Sequence, residues 1–418
     1  MHTRNFRTGH GLETMCVPLL GPLEKSLIWK NAIPNRVGHC PIGCGFLSRK
    51  GLIVIVVVVV LVAVLMIAAI LSTLDSETEV PLRSDTIPAD VAKGTPATDY
   101  FKPVLHLDDW EDPVPMSGPI NTAGAEDSPF ITPDGNRFFF FFTPDVRVPA
   151  EKQLLDKVTG IWWSQKVGSV WTEPEKIILN DDLALDGAEF VLGDTLWFAS
   201  IRAGNYGEID IFTAQYEEGE WGNVENAGSQ LNVDYDIGEF HLTADGNTIY
   251  FHTGNLGYGE NMDLWTTNKV AGGWSQPVKV PDVNTDSTEG YPFLTQDGSE
   301  LWYTGTSKLG YTGPAIFRCI KNGSGWDPAV EVLSNFAGEC TMDSEGNLYF
   351  VHHYFSSNLT MLEADIYVAY HKSSSRSASA ASIEVDPGLA IPAFGEDIQQ
   401  QVSIASRYPL IASGQERR

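Results

Sequence analysis

Residues 232–284 read NVDYDIGEFHLTADGNTIYFHTGNLGYGENMDLWTTNKVAGGWSQPVKVPDVN, and this stretch decides the fold. Residues 239–243 alternate in polarity, and the following Asp245 and Gly246 tolerate the positive φ that a tight hairpin needs. Residues 248–252 and 263–267 predict two more strands, and a fourth strand begins near Trp274. The stretch therefore predicts one four-stranded antiparallel blade, which cannot bury both of its faces alone.

Three markers of this blade recur along the chain, each of them five times. The outer-strand tryptophan recurs as Trp110, Trp171, Trp221, Trp274 and Trp326. An aliphatic residue followed by an aromatic one marks the third strand at Ile161, Ile211, Leu264, Ile316 and Ile366. The first hairpin turn recurs at residues 134–135, 193–194, 245–246, 297–298 and 345–346. Because the three counts agree, the sequence predicts an all-β, five-bladed β-propeller of four-stranded antiparallel blades.

The order of the markers predicts how the array closes. Trp110 and Pro113 precede any inner strand, whereas no tryptophan and proline follow the last third strand at Ile366. We therefore expect the N-terminal segment to supply the outer strand of the last blade. Such closure avoids an unpaired sheet edge at the seam.

Charge is distributed unevenly along the 418 residues. The chain carries a net charge of −27, yet residues 1–50 hold seven Lys and Arg against Glu13 and Glu24, a balance of +5. The remainder therefore carries about −32 (−27 minus 5). This charge excludes nucleic acid as a partner, because proteins that bind nucleic acid need a basic surface.

Residues 51–71 are 21 consecutive apolar residues, enough for a helix to cross the hydrocarbon layer of a bilayer. We interpret them as a retained signal-anchor and a single transmembrane helix, because no small-residue cleavage motif follows. Arg49 and Lys50 precede the span, while Asp75, Glu77 and Glu79 follow it. The positive-inside rule then predicts a cytoplasmic N-terminus and an extracytoplasmic propeller.

The remaining segments complete the predicted domain organisation. Residues 1–50 are expected to be cytoplasmic and mostly disordered, and His39, Cys40 and Cys44 are too few for a four-ligand zinc site. Residues 72–99 predict a flexible linker, residues 100–372 the propeller, and residues 373–418 a disordered tail.

Two cysteines lie in the predicted propeller, where an extracytoplasmic location would permit a disulfide. Cys319 falls on the third strand of one blade and Cys340 on the inner strand of the next. We expect their Cα atoms to lie too far apart for a bond, so both thiols should be buried and unpaired. Asn322 and Asn358 begin glycosylation sequons, whose use depends on the host.

Several segments resemble a known family of repeats. They are residues 129–135 (PFITPDG), 198–212 (FASIRAGNYGEIDIF) and 291–298 (YPFLTQDG), which look like the WD-like β-propeller repeats of TolB-type proteins. The resemblance covers about two-thirds of the chain and implies a binding or scaffolding module of a cell envelope. This chain departs from TolB in having five predicted blades where TolB has six, and in its membrane anchor.

An enzymatic alternative rests on the inner-strand carboxylates. Five-bladed propellers also include glycosidases, which set two carboxyl groups about 5 to 9.5 Å apart around a central pocket. Asp127, Glu189 and Glu239 are the candidate catalytic residues of such a glycoside hydrolase, with Glu339 nearby. Glu189, Glu239 and Glu339 are expected to share one repeat position, filled by Ser128 and Tyr291 in other blades. A residue that repeats by blade is more simply a structural feature than a catalytic acid.

The loops that enter each inner strand hold a recurring asparagine, expected to bond nearby backbone in an Asx-type turn. The five are Asn121, Asn180, Asn232, Asn284 and Asn335. The alternative is a Ca²⁺ site made by the neighbouring acids, for which no EF-hand spacing exists. Those acids are Asp181, Asp182, Asp186, Asp234, Asp236, Asp286 and Glu289.

Polar residues after each second strand predict a binding rim at the same end of the array. They are Arg202, Asn205, Tyr206, His252, Tyr258, Lys308, Tyr311 and His352. Tyr and Asn on glycine-rich loops suit recognition of a protein, peptide or glycan partner. No P-loop, dinucleotide fingerprint or nucleophile elbow is visible, so the sequence indicates no cofactor and no metal. It thus favours a membrane-anchored binding or scaffolding module, with the glycosidase as the alternative.

Overall fold

The computed structural model describes residues 62, 66, 80–153, 155–179, 183–232, 237–253 and 262–373. The chain divides into two compact units, Met1–Glu77 and Thr78–Arg418, and all the strands named below lie in the second. The predicted cytoplasmic segment, nearly all of the predicted membrane span and residues 374–418 lie outside the described residues. Within the described ranges, no helix is both long and apolar enough to cross a membrane.

The described chain is all-β, with almost no helix. The helices are single turns: α1 (Arg83–Thr86), α2 (Ala150–Gln153) and α3 (Ser229–Asn232). Two short strands come first, β1 (Val104–Leu105) and β2 (Val114–Pro115). Repeat 1 has β3 (Ala125–Ile131), β4 (Arg137–Thr143), β5 (Gly160–Val167), β6 (Val170–Trp171) and β7 (Glu175–Lys176). Repeat 2 has β8 (Leu185–Leu192), β9 (Thr195–Ile201), β10 (Asp210–Glu217) and β11 (Glu220–Asn226).

The later repeats copy this order. Repeat 3 has β12 (Phe240–Leu242), β13 (Thr248–Thr253), β14 (Asp263–Val270), β15 (Gly273–Trp274) and β16 (Val278–Lys279). Repeat 4 has β17 (Glu289–Leu294), β18 (Glu300–Thr306), β19 (Pro314–Asn322), β20 (Gly325–Trp326) and β21 (Val330–Ser334). Repeat 5 has β22 (Ala337–Met342), β23 (Leu348–Phe355) and β24 (Met361–Ala369). The first three strands of each repeat pair antiparallel in order, as the hairpin turns predict, and the strands that follow pair with the third strand.

The first strands of the five repeats are neighbours in space. β3 contacts β8, β8 contacts β12, β12 contacts β17, β17 contacts β22, and β22 contacts β3 again. Among the described residues, a single ladder links the sheets of different repeats, the parallel match of Ala364 on β24 with Ala125 on β3. The repeats are therefore held together mainly by side-chain packing rather than by a continuous sheet.

The N-terminal strands pair with the last two repeats. Val114 on β2 pairs antiparallel with Val368 on β24, as expected from the marker order. Val104 on β1 pairs with Ser334 on β21, which the sequence did not predict. Trp110 lies between them, and its indole Nε1 donates to the Gly346 carbonyl at 2.8 Å.

The core lies between neighbouring repeats. Residues 138–142 of β4 are five consecutive phenylalanines, all buried, because both faces of this strand are covered by other repeats. Trp163 of repeat 1 packs edge-on against Trp221 of repeat 2, with ring centroids 6.2 Å apart. Cys319 and Cys340 are buried and free, which confirms that they do not form a disulfide.

Residues 80–99 differ from the flexible linker that composition predicts. Arg83 is buried and donates to the carbonyl of Ile120 at 2.8 Å, and Lys93 pairs with both Glu363 and Asp365. Their partners lie 37 to 272 positions away along the chain, so local composition could not reveal them. We call residues 80–103 the N-terminal strap.

Candidate functional site

The first strands carry a bulge that shapes the region where they meet. Ser128, Ala188, Tyr291 and Glu339 all have positive φ, between 46° and 54°, and the strand register shifts at each of them. Positive φ is costly for residues with a Cβ and is tolerated only where the surroundings demand it. Ser128, Tyr291 and Glu339, which lie at three of these bulges, line one small cavity where the first strands meet.

The bulges correct one expectation from the sequence. Glu339 is the positive-φ residue of its strand and therefore matches Ser128 and Tyr291. Glu189 follows Ala188, the positive-φ residue of β8, and directly precedes Phe190, where strand pairing resumes. Glu239 likewise directly precedes Phe240, which pairs with the next strand. The three glutamates do not share one repeat position, because a one-residue bulge offset is invisible in a tandem alignment by eye. Glu339 therefore occupies a different repeat position from Glu189 and Glu239, which still share one.

Asp127, Glu189, Glu239 and Glu339 converge into one group, which we call the carboxyl cluster. Ser128 Oγ lies 3.2 Å from Glu239 Oε1 and 2.9 Å from Glu339 Oε2, which ties repeats 1, 3 and 5 together. His353 Nε2 lies 3.4 Å from Asp127 Oδ2. Glu189 is different: both of its carboxyl oxygens are buried without a hydrogen-bond partner among the described residues.

The pKa values of the cluster members are shifted in opposite directions. Burial raises the pKa of Glu239 to about 8, and the charge of Asp127 acts in the same sense. Burial likewise raises the pKa values of Glu189 and Glu339 well above the ordinary range. Burial also acts to raise the pKa of Asp127, but His353 and hydrogen bonds from Glu339 and Ser128 outweigh it and hold that pKa below its usual value. At neutral pH, Asp127 is the ionised member of the cluster.

The space beside the cluster is small. A cavity of about 40 Å³ is lined by Ser128, Glu189, Glu239, Tyr291 and Glu339, among others. Such a volume holds about one water molecule and no sugar ring.

An aromatic layer separates this cavity from a second one. Phe130 packs on Phe190 at 4.8 Å, Phe190 on His241 at 4.5 Å, and His241 on Phe293 at 4.9 Å between ring centroids. These four side chains line both cavities. Burial lowers the pKa of His241 to about 3, so its imidazole is neutral and the layer is uncharged at physiological pH.

The second cavity is large and lies at the end where the first hairpin turns gather. It has a volume of about 1140 Å³, and we call it the hairpin-end cavity. Its floor is the aromatic layer, and Leu192, Leu242, Leu294 and Met342 add apolar surface. Five carboxylates line it, Asp109, Asp134, Asp297, Glu300 and Asp343, against the two guanidinium groups of Arg137 and Arg318. The lining is therefore apolar at the floor and carries an excess of three negative charges, five minus two.

Three residues of the predicted binding rim have side chains that are covered by the fold instead of being available to a ligand. Arg202 pairs with Asp186 at 2.7 Å, and the exposed fraction of its side chain is 5%. His252 Nδ1 accepts from the Tyr291 backbone at 3.1 Å, and burial lowers the pKa of this histidine to about 4. His352 pairs with Asp99 of the N-terminal strap at 2.9 Å, with neither side chain exposed. Tertiary partners cover these side chains, which sequence alone could not foresee.

The other described rim residues are either exposed or in contact with neighbouring side chains and backbone. Asn205 Nδ2 bonds the Ser200 carbonyl at 2.8 Å, and Tyr206 is exposed. Tyr311 lies against His106 with ring centroids 5.2 Å apart, and the Lys308 ammonium lies over the Phe317 ring at 5.0 Å. Tyr258 lies outside the described residues.

Three of the recurring asparagines join a linking loop to the third strand of the repeat that the loop leaves. Asn232 accepts from Ile211 N at 2.8 Å and donates to Ile211 O at 3.0 Å. Asn284 bonds Leu264 in the same two-way manner, and Asn121 bonds Ile366. These partners are the aliphatic residues of the third-strand marker. The recurring asparagine and the third-strand marker are therefore hydrogen-bonded to each other.

The other loop residues follow several patterns. Asn335 instead donates to the Lys102 carbonyl of the N-terminal strap at 2.8 Å, and Asn180 lies outside the described residues. Glu289 accepts hydrogen bonds from Thr285 N at 3.0 Å and from Thr285 Oγ1 at 2.5 Å, so its carboxylate is hydrogen-bonded within its own loop. In the described part of the chain, no group of three His, Cys, Asp or Glu side chains could hold a metal ion.

No protein-family model matches the chain, and no curated protein matches it. The chain is similar to the solved structure of TolB from Acinetobacter baumannii, at 12% identity over 61% of this chain and 56% of that chain, with a TM-score of 0.34. It thus spans less than two thirds of that TolB. A putative TolB from Agrobacterium tumefaciens gives 12% identity, 60% and 91% coverage, and a TM-score of 0.35.

Another solved structure that it is similar to is the catalytic domain of Coprinopsis cinerea GH62 alpha-L-arabinofuranosidase. This comparison gives 10% identity, with 62% of this chain and 96% of that chain covered, and a TM-score of 0.39. All three TM-scores are below 0.5, so these likenesses carry no argument about family or activity.

Proposed function

We propose that the five repeats form a closed five-bladed β-propeller that serves as a binding module. Support comes from the cyclic contacts of β3, β8, β12, β17 and β22. The antiparallel pairing of β2 with β24 supports closure by the N-terminal segment. Asn121, which follows β2, bonds Ile366 of repeat 5 just as Asn232 bonds Ile211 of repeat 2. The N-terminal link thus repeats the geometry of an internal one.

The hairpin-end cavity is the main structural support for the proposed binding function. Its volume of about 1140 Å³ is slightly above the usual range of ligand pockets, which is about 300–1,000 Å³. An apolar floor favours aliphatic or aromatic groups, and the excess of carboxylates around it favours cations. We therefore propose a protein or peptide partner that inserts apolar side chains flanked by Lys or Arg. A glycan partner is less well supported, because most sugars lack this combination of charge and apolar surface.

We further propose that the module is anchored by residues 51–71 and faces the extracytoplasmic space. The proposal rests on the apolar run and on Arg49 and Lys50 before it, against the acidic residues after it. Protease protection in sealed vesicles tests it. Digestion of the propeller only after the extracytoplasmic face is exposed is expected; digestion from the cytoplasmic face would overturn it.

The binding function is tested on the full chain with a fluorescein-labelled peptide of alternating Arg and Leu. Ala244 and Gln296 are exposed residues of the cavity lining, so Ala244→Lys and Gln296→Lys add positive charge there. Each is expected to weaken binding by about 3- to 10-fold through charge repulsion. Ser169→Lys, at an exposed turn outside the lining, is the matched control. Equal binding by all three variants would refute the assignment.

A glycoside hydrolase is the second candidate, favoured by the opposite proton affinities of Asp127 and Glu239. Glycosidases set two carboxyl groups apart in this way to obtain an acid and a base. The water-sized cavity beside the cluster argues against it. A panel of aryl glycosides tests the idea: turnover that disappears in Glu239→Gln and Asp127→Asn would support it, and no turnover by the parent chain would end it.

A further inference from the structure

The described chain ends beside the hairpin-end cavity. After β24, His371 lines the cavity and forms an isolated bridge with Trp110, which also lines it. Lys372 N donates to the Asp109 carbonyl at 3.0 Å, and Ser373 is the last described residue. The described chain therefore ends two residues beyond a side chain that lines the cavity.

The sequence of these residues has two parts of opposite charge. Residues 383–398 hold four acids and no basic residue. Residues 402–418 hold Arg407, Arg417 and Arg418 against the single acid Glu416, a net charge of +2. The same part contains apolar residues, Val402, Ile404, Tyr408, Leu410 and Ile411. Only this second part combines positive charge with apolar side chains, the chemistry that the cavity lining complements.

We infer that residues 402–418 bind in the hairpin-end cavity of their own chain. This inference rests on the binding site assigned to the proposed function and names its first occupant. Tyr408, Leu410 and Ile411 meet the aromatic floor, and the arginines meet the carboxylates of the lining, such as Asp297 and Asp343.

Chain length permits this contact. Between Ser373 and Val402 there are 28 residues (374 to 401), and each extended residue adds about 3.3–3.6 Å, far more than the distance across the cavity. Attachment in one chain makes the contact intramolecular, which raises the effective concentration of the segment without any new contact. A partner of similar chemistry must then displace the segment, so residues 402–418 act as a competitor that sets a threshold for external binding.

Photo-crosslinking within the full chain tests the contact. Tyr408→p-benzoylphenylalanine is expected to crosslink to peptides that contain cavity-lining residues such as Leu242 or Met342, within single molecules and independently of protein concentration. Phe394→p-benzoylphenylalanine, in the acidic part, is the matched control and should give at least fivefold fewer such crosslinks. Equal yields from both positions, or crosslinks only between molecules, would overturn the inference.

Charge reversal separates this inference from the proposed function. Replacing the three arginines, Arg407→Glu, Arg417→Glu and Arg418→Glu, should reduce the Tyr408 crosslinks and strengthen binding of the added Arg-Leu peptide by about 3- to 10-fold. Arg376→Glu is the control and should change neither. If peptide binding remains sensitive to Gln296→Lys but not to charge reversal, the inference fails and the binding function stands. If Gln296→Lys has no effect in either background, the binding site itself is refuted.

Discussion

Arg83 and Glu126, 43 positions apart, form an ion pair at 3.0 Å with exposed side-chain fractions of 1% and 0%. Arg83 also donates to the Pro119 carbonyl at 2.6 Å and lies over the Phe140 ring, with 5.1 Å from Cζ to the ring centroid. Burial raises the pKa of Glu126 to about 7 even though Arg83 and Thr122 act in the opposite sense. Burial also lowers the pKa of Arg83. The pair therefore anchors the N-terminal strap without fully offsetting the desolvation of both groups.

Removing one partner of this pair should be far worse than removing both. Arg83→Met is expected to lower the free energy of unfolding by about 3–5 kcal/mol, because it leaves Glu126 buried without its cation. The double variant Arg83→Met with Glu126→Gln should recover part of this loss. Urea denaturation followed by tryptophan fluorescence measures both. A double variant as unstable as the sum of the two single variants would contradict the coupling.

The carboxyl cluster should make stability fall as pH rises. Folded-state pKa values raised above the ordinary value, such as that of Glu239 at about 8, mean that the folded protein retains protons that the unfolded chain releases. This stabilisation is complete below about pH 4.5 and is lost as pH rises through about 8. Urea midpoints between pH 5 and 8 should decline, and Glu239→Gln should flatten the decline. An unchanged slope in Glu239→Gln, with exposed Glu220→Gln as the control, would argue against it.

The linking asparagines should be worth about two hydrogen bonds each. Asn284→Ala removes the bonds to Leu264 N at 2.7 Å and Leu264 O at 2.9 Å, and we expect a loss of about 2–3 kcal/mol. Asn284→Asp keeps the acceptor for Leu264 N but loses the donor to Leu264 O. It should therefore lower the free energy of unfolding by less than Asn284→Ala does. Thermal unfolding of Asn322→Ala, on the exposed surface, provides the reference. Equal Tm values for Asn284→Ala and Asn322→Ala would contradict the assigned role.

Gly94 should be essential for seating the N-terminal strap. A Cβ added at this position would lie 2.9 Å from Cγ of the Tyr354 ring, which forms a hydrogen bond with Tyr367 and has little room to move. We expect Gly94→Ala to cost about 1–3 kcal/mol and to speed proteolysis within residues 80–103. Gly222→Ala is the matched control, because nothing lies within 4 Å of its added Cβ. Proteolysis rates that match between the two variants would show that the strap tolerates the displacement.

Sequence patterns identified the local elements well, because they depend on neighbours in the chain. The hairpin turn at Asp245 and Gly246, the strand at residues 248–253 and the strand at residues 263–270 all follow from alternation and turn residues. The pairing of β2 with β24 also followed from the order of the markers. The recurring asparagine was visible as a pattern, but its bond to the third strand was not, because the two atoms are brought together only by packing.

Local sequence patterns were sufficient to predict the all-β character, the five repeats and the buried free thiols of Cys319 and Cys340. Tertiary packing covers the side chains of Arg202, His252 and His352, and a bulge offsets Glu339 from Glu189 and Glu239. These two kinds of property differ in how far apart along the chain the interacting residues lie. Strand alternation and turns depend on residues a few positions apart, whereas burial, pKa and cavity shape depend on side chains from different repeats that approach one another only after folding.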